Sequence, residues 1–176
     1  FLKKSMKNPF TNEGNVTSND NYILNKAPLK KLKKDLEEHI QIYFEKVYNT
    51  KNKIKPYITQ SWLNVTNENQ YHHVHEHPNS LVSGVLYVNA DENNDSIKFF
   101  KNPRYQLIKL IPKAFNWFNS ESWSYPVATG RIIMFPSSTT HTVEIKKGNN
   151  ARISLAFNVF VKGHIGDQRA LMELKL

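Results

Sequence analysis

Gln70-Tyr-His72-His73-Val-His75-Glu76-His77-Pro78-Asn-Ser-Leu-Val82-Ser83-Gly84-Val85-Leu86-Tyr87-Val88 holds four of the chain's seven histidines within six residues. Two short β-type runs flank a turn at Pro78-Asn79, the grammar of strands in an all-β domain. Side chains at i and i+2 leave the same face of an extended chain. His75 and His77 are therefore placed to reach one metal ion. His73 shares their parity, while His72 and Glu76 point to the opposite face. Neutral imidazole suits Fe, Zn, Cu and Ni. A third imidazole, His141, lies in Phe135-Pro-Ser-Ser-Thr-Thr-His141-Thr-Val143, and Arg152-Ile-Ser154 follows eleven residues later.

Outward from this stretch the chain keeps a β grammar from residue 54. Strands are expected at 58–65, 70–77, 82–89, 96–100, 122–127, 131–135, 141–145 and 152–162, each bounded by turn residues. Eight short strands in one run predict a mainly β, double-sheet jelly roll. Before it, Leu29, Leu32, Leu36, Ile40, Tyr43, Phe44 and Val47 recur at helical spacing after Pro28. They predict an amphipathic helix over 28–48 that packs on the outer face of one sheet. Residues 1–27 read as irregular. One structural domain is expected, with 1–50 as N-terminal segment and packing helix and 51–176 as the β domain.

The bulk numbers narrow the class. The 176 residues suit a single core. No apolar run could cross a membrane, and the absence of cysteine excludes disulfides and thiolate metal sites. The first residues lack a signal-peptide core; a trimmed sequence and a cytoplasmic setting are expected. The net charge of +9 admits a nucleic-acid partner. However, no stripe of Lys and Arg with interleaved aromatics supports one, and much of the charge lies on the helix at Lys30-Lys31-Leu-Lys33-Lys34.

On these residues the chain resembles the iron(II)- and 2-oxoglutarate-dependent oxygenases, a double-stranded β-helix superfamily. Within it, the resemblance is to small oxygenases of bacteria and marine phages. The segments that carry it are Trp62-Leu-Asn64, His75-Glu-His77-Pro-Asn-Ser-Leu-Val-Ser83-Gly-Val-Leu-Tyr87-Val, Asn102-Pro103-Arg104, Gly130-Arg-Ile-Ile-Met-Phe135-Pro-Ser-Ser-Thr-Thr-His141-Thr-Val, and Arg152-Ile-Ser154-Leu-Ala-Phe157-Asn158. The resemblance implies a hydroxylase that couples decarboxylation of 2-oxoglutarate to succinate with oxidation of a substrate by molecular oxygen. His75 then matches the first ligand of the family's metal triad and His141 the distal one. Arg152 matches the base that holds the C5 carboxylate of 2-oxoglutarate. Ser154 completes its Arg-x-Ser motif, and Tyr87 matches a further contact to that carboxylate.

Strand parity adds Ser83 beside Tyr87 and Asn158 beside Ser154 on inward faces. Asn64 shares a parity with Trp62 and is placed to line the cosubstrate end. Arg152 alternates with apolar Ile153, Leu155 and Phe157, so both faces of its strand are expected to be covered; a buried guanidinium needs an anionic partner. His72 and His73 are expected to be solvated, with a place behind the metal ligands or on the substrate side as the alternative. Arg104 suits a loop-fixing ion pair or a substrate contact.

One position departs from the superfamily. Where the second ligand is usually Asp or Glu, this chain has His77. Three outcomes stay open: a three-histidine site as in cupin dioxygenases, a bulge that turns Glu76 inward, or a water in the ligand's place. A cupin-type metalloenzyme without 2-oxo acid and a non-catalytic jelly-roll module are the alternative functions. The substrate is open among a protein side chain, a nucleobase and a small metabolite.

Overall fold

The computed structural model describes residues 2–101 and 111–176. Asn102-Pro103-Arg104, and with it the two readings of Arg104, lies outside the described residues. Each of the eight expected strand segments forms a strand, and three two-residue strands are added. In chain order the elements are α1 (Leu2–Ser5), β1 (Phe10–Thr11), β2 (Val16–Thr17), α2 (Lys30–Tyr43), β3 (Ile54–Thr66), β4 (His72–His75), β5 (Val82–Asn89), β6 (Ser96–Phe100), β7 (Ser122–Pro126), β8 (Ile132–Pro136), β9 (His141–Val143), β10 (Arg152–Ile165) and β11 (Leu174–Lys175).

They form two sheets, the double-stranded β-helix layout. The larger runs β1-β2-β3-β10-β5-β8, with β11 on β10; the smaller runs β4-β9-β6-β7. All the described strand pairs are antiparallel. The N-terminal segment, expected to be irregular, contributes β1 and β2 to the large sheet through Val16 opposite Val65 and Thr17 opposite Asn64. Two-residue strands carry no periodicity, so their pairing is decided by β3 rather than by their own sequence.

Strand β10 organises the fold because it is central and covered on both faces. Its odd residues Leu155, Phe157, Val159 and Val161 face outward into a core shared with Leu63 and Val82. Helix α2 closes that core with Leu36 and Ile40, joined by Phe44 just past its end, as the apolar stripe requires. Val47 leaves the stripe and is exposed, because Phe44–Tyr48 widens into a π-helical turn that ends on Asn49 in the left-handed region. Gly84 lies opposite Phe157 across β5 and β10. A Cβ there would overlap the Phe157 ring, so the glycine of Ser83-Gly84-Val85 is where backbone and ring approach closely. The even residues of β10 face the small sheet, across a second core of Tyr87, Ile97, Val127, Phe135 and Val143.

Candidate metal and cosubstrate site

His75 and His141 are direct cross-strand partners of β4 and β9, and such pairs bring side chains together on one face. His77 lies beyond the end of β4. Its backbone N–H donates to Ser137 O at 3.0 Å, which holds the chain so that the ring stays on the same side. The ring centroids of His75 and His141 are 4.2 Å apart, those of His75 and His77 4.9 Å, and those of His77 and His141 5.2 Å. One nitrogen from each of the three imidazoles lies within 4.8 Å of the others. The three imidazoles that the parity argument groups thus come together, although the last is positioned by a loop rather than by the strand.

Two of the rings are oriented from behind. His75 Nδ1 lies 2.8 Å from His73 O, and His141 Nδ1 lies 3.0 Å from Thr139 O. A carbonyl can only accept, so both rings carry their proton on Nδ1 and leave Nε2 with a free lone pair. Burial holds all three imidazoles neutral. It pushes His77 down to about 3 and His141 to about 4, with neighbouring imidazoles adding to the effect, and lowers His75 as well. Neutral, pre-oriented, closely spaced nitrogens are the donor set a divalent ion of this type takes.

His72 departs from its expectation. An irregularity between His72 and His75 in the β4–β9 pairing breaks the strict alternation. The His72 ring comes to 4.4 Å from His75, stacked on it, and burial lowers its pKa to about 2. His73 is half-buried with its Nδ1 unpartnered among the described residues. Neither is solvated; their place beside His75 fits the alternative expectation instead, and a second cluster of His72, His73 and His75 meets the same distance test. Glu76 is exposed and accepts a hydrogen bond from Thr140 Oγ1. It joins neither histidine group.

Arg152 occupies the inner face of β10, with Thr66 opposite it on β3. It is buried, and its expected anionic partner exists within the chain: Nη1 lies 3.3 Å from Asp95 Oδ1. The same oxygen lies 3.5 Å from Lys146 Nζ, and Lys146 and Asp95 are both fully enclosed. Lys146 also donates to Lys147 O and to Asn150 Oδ1, and Asp95 Oδ2 accepts from Asp91 N–H at 2.8 Å. Burial lowers the Arg152 pKa, and Asp95 opposes it. Tyr87, also enclosed, has its phenol pushed up by burial, with Arg152 opposing and Asp95 adding to the rise.

Asp95 and Lys146 escape sequence reading. Asp95 sits in an Asp- and Asn-rich turn, and Lys146 among loop lysines. Nothing local marks either as buried.

The remaining expected residues fall around these two centres. Ser154 is buried between Asn64 on β3 and Tyr87 on β5. Asn64 Oδ1 is buried without a partner among the described residues. Ser83 Oγ donates to Asn158 Oδ1 at 3.0 Å and lies 2.9 Å from Ser137 Oγ. Asn158 and Trp62 line a cavity of about 670 Å³ that also exposes His72, His75 and His77. Trp62 packs beside His77, 5.8 Å between rings.

A jelly roll carrying a facial cluster of imidazoles between its sheets defines a metal-centred β-helix protein. Residues 60–158 match the family described as "Putative 2OG-Fe(II) oxygenase", and the chain belongs to that family, whose cofactors are Fe(II) and 2-oxoglutarate. No curated protein matches it in sequence. Among solved structures, HygX from Streptomyces hygroscopicus, with nickel, 2-oxoglutarate and hygromycin B bound, aligns at TM-score 0.61 and 10% identity over 90% of this chain and 74% of its own. A prolyl-4-hydroxylase from Pseudomonas putida aligns at TM-score 0.58 and 10% identity, over 89% and 80%. An oxidoreductase of the 2OG-Fe(II) oxygenase family from Burkholderia pseudomallei gives 0.55 and 11%, over 90% and 75%. These likenesses bear on the fold. No helix among the described residues is long and apolar enough to cross a membrane.

Proposed function

We propose that the chain is an Fe(II)- and 2-oxoglutarate-dependent dioxygenase that hydroxylates its substrate, with His75, His77 and His141 as metal ligands and Arg152 as the anchor of the cosubstrate. The convergence of three neutral imidazoles, two of them locked with Nε2 free, is the observation that carries this reading. When bound, Fe(II) supplies the centre at which one atom of dioxygen enters succinate and the other converts a substrate C–H to C–OH, with release of carbon dioxide. Three protein ligands leave coordination positions open for this.

The protein's part is to hold, orient and shield. The Nδ1–H bonds to His73 O and Thr139 O fix the tautomer of two ligands. The cation cluster supports a seat for the far carboxylate. Arg152 and Lys146 share one enclosed carboxylate, Asp95, and the less buried Asp91 also acts on Lys146; counted within the enclosed group alone, one positive charge is in surplus. An unbalanced buried charge is unfavourable until an anion joins it. Guanidinium suits the role because it forks onto two oxygens. Ser154, Tyr87, Ser83, Asn64 and Asn158 are proposed to line the cosubstrate side.

The all-imidazole donor set, with Glu76 engaged by Thr140, also favours a second reading: a cupin-type centre without 2-oxo acid. The surplus cation argues against it, since such a centre has no use for one. The deciding experiment loads the protein with Fe(II) and measures succinate formed from 2-oxoglutarate without added substrate. Succinate in the parent and its loss in His141→Ala support the dioxygenase. Tight metal binding with no succinate supports the cupin reading instead.

A further inference from the structure

We propose that the cavity beside the histidines takes an uncharged, hydroxyl-rich ring as the substrate to be oxidised: a sugar unit carried by a glycoside or a nucleoside. This rests on the oxygenase reading above and adds the substrate class to it.

The cavity has the size of a small-molecule site, about 670 Å³, and His75 and His77 stand in its wall. Its composition sets it apart from the rest of the molecule. Lys, Arg, Asp and Glu make up 22% of the chain, so about three of the fourteen lining residues would carry charge if the wall resembled the whole; none of those described does. In a chain of net charge +9 the described part of this wall carries no Lys, Arg, Asp or Glu. A charged substrate group would meet no counter-ion among the described lining residues, which disfavours it to the extent that it leaves water. The enclosed cations Arg152 and Lys146 do not line the cavity, so the charged seat proposed for the far carboxylate lies outside it, and Asn158 is the polar group common to both sides.

Besides the imidazoles of His72, His75 and His77, the polar groups that line it are amides and hydroxyls. Asn21, Gln60 and Asn79 contribute side-chain amides that bond to no other described residue. Each offers a donor and an acceptor, the pattern that meets neighbouring hydroxyl groups, which also donate and accept. Asn158 is held differently. Its Oδ1 is occupied by Ser83 Oγ–H at 3.0 Å, so its NH₂ is the end left to donate. Aromatic surface completes the wall. Phe10 and Tyr22 are exposed at the cavity, and Trp62 packs against His77. Flat faces among amide groups suit a ring with polar edges and C–H faces. A C–H carbon of that ring near His75 and His77 would be the one that becomes C–OH.

The test uses full-length protein loaded with Co(II) and 2-oxoglutarate. Sucrose, maltose, uridine and adenosine are titrated against glucosamine, glucuronate and uridine monophosphate. Tryptophan fluorescence reads binding, and succinate formation with Fe(II) reads coupling. The expected result is saturable quenching by at least one uncharged probe, lost in Trp62→Phe, and weaker by about tenfold or more for its charged counterpart. Response to the disaccharides alone assigns a glycoside; response to the nucleosides alone assigns a nucleoside. Tighter binding of the charged counterparts overturns the proposal. So does the absence of binding by every uncharged probe while substrate-free succinate formation is intact. Absence of both Co(II) binding and succinate formation overturns the oxygenase reading, and this proposal with it.

Discussion

Arg152→Ala and Asp95→Asn separate the cosubstrate role of the buried cluster from its structural role. In the parent, Asp95 Oδ1 lies 3.3 Å from Arg152 and 3.5 Å from Lys146, and all three side chains are enclosed. Arg152→Ala leaves Asp95 balanced by Lys146, so no charge is stranded. Its effect on the fold should fall below the ~3–5 kcal/mol typical of breaking a buried pair. The cosubstrate, in contrast, loses its guanidinium anchor. Charge-assisted hydrogen bonds contribute roughly 1.5–3 kcal/mol each, and about 1.4 kcal/mol is tenfold in affinity. Loss of even one such bond should weaken 2-oxoglutarate by about tenfold or more. Asp95→Asn does the reverse: two enclosed cations lose the one carboxylate enclosed with them, leaving only the less buried Asp91 in electrostatic reach of Lys146, so stability should fall by ~3–5 kcal/mol. Added 2-oxoglutarate should restore part of that loss, because ligand that binds only the folded state stabilises it. Urea unfolding of the Co(II) protein, with and without 2-oxoglutarate, reads both quantities. Arg152→Ala with cosubstrate affinity within twofold of the parent would refute the reasoning and remove Arg152 from the site.

Further predictions follow from the triad and the core. His77→Asp should keep Fe(II) binding and keep or raise succinate yield, since it would supply the carboxylate that the family resemblance implies at this position, a hard anionic oxygen in place of a neutral nitrogen, while Glu76→Ala changes little; loss of iron in Glu76→Ala alone would make Glu76 the ligand. Gly84→Ala should destabilise by ~1–3 kcal/mol through overlap with Phe157, lowering Tm by several degrees. Pairing it with Phe157→Leu should recover part of the loss, and strict additivity in thermal melts would refute the contact. Without metal, stability should fall as pH drops below about 6.5. The unfolded histidines protonate there, whereas burial holds His141 near 4, His77 near 3 and His72 near 2. The unfolded state then binds more protons, so stability rises with pH across that window. Urea midpoints that are equal at pH 7.5 and 5.0 would contradict this.

What could be read from the sequence was set by how local the deciding interaction is. Alternation is a property of a single strand, so the strand segments and the inward set of Arg152, Ser154 and Asn158 were legible. So was the burial of Arg152, because both alternate faces of β10 announce their covering. The triad was legible by parity, but parity holds only within the strand. His77 sits past its end and is held by Ser137 O, while an irregularity in the β4–β9 pairing carries His72 onto the face from which strict alternation excludes it.

Partners separated along the chain were not legible. Asp95 is 57 residues from Arg152, in a turn whose composition reads as solvated, and the burial of Lys146 depends on where its loop crosses that turn. The same limit hid β1 and β2, whose two residues each gain a place only through β3. The covered Arg152 could signal only that an anion was required. Fold geometry encloses one anion with two cations, leaving Asp91 nearer the surface, and that imbalance, visible only once Lys146 is placed, turns a structural ion pair into an argument for a bound carboxylate.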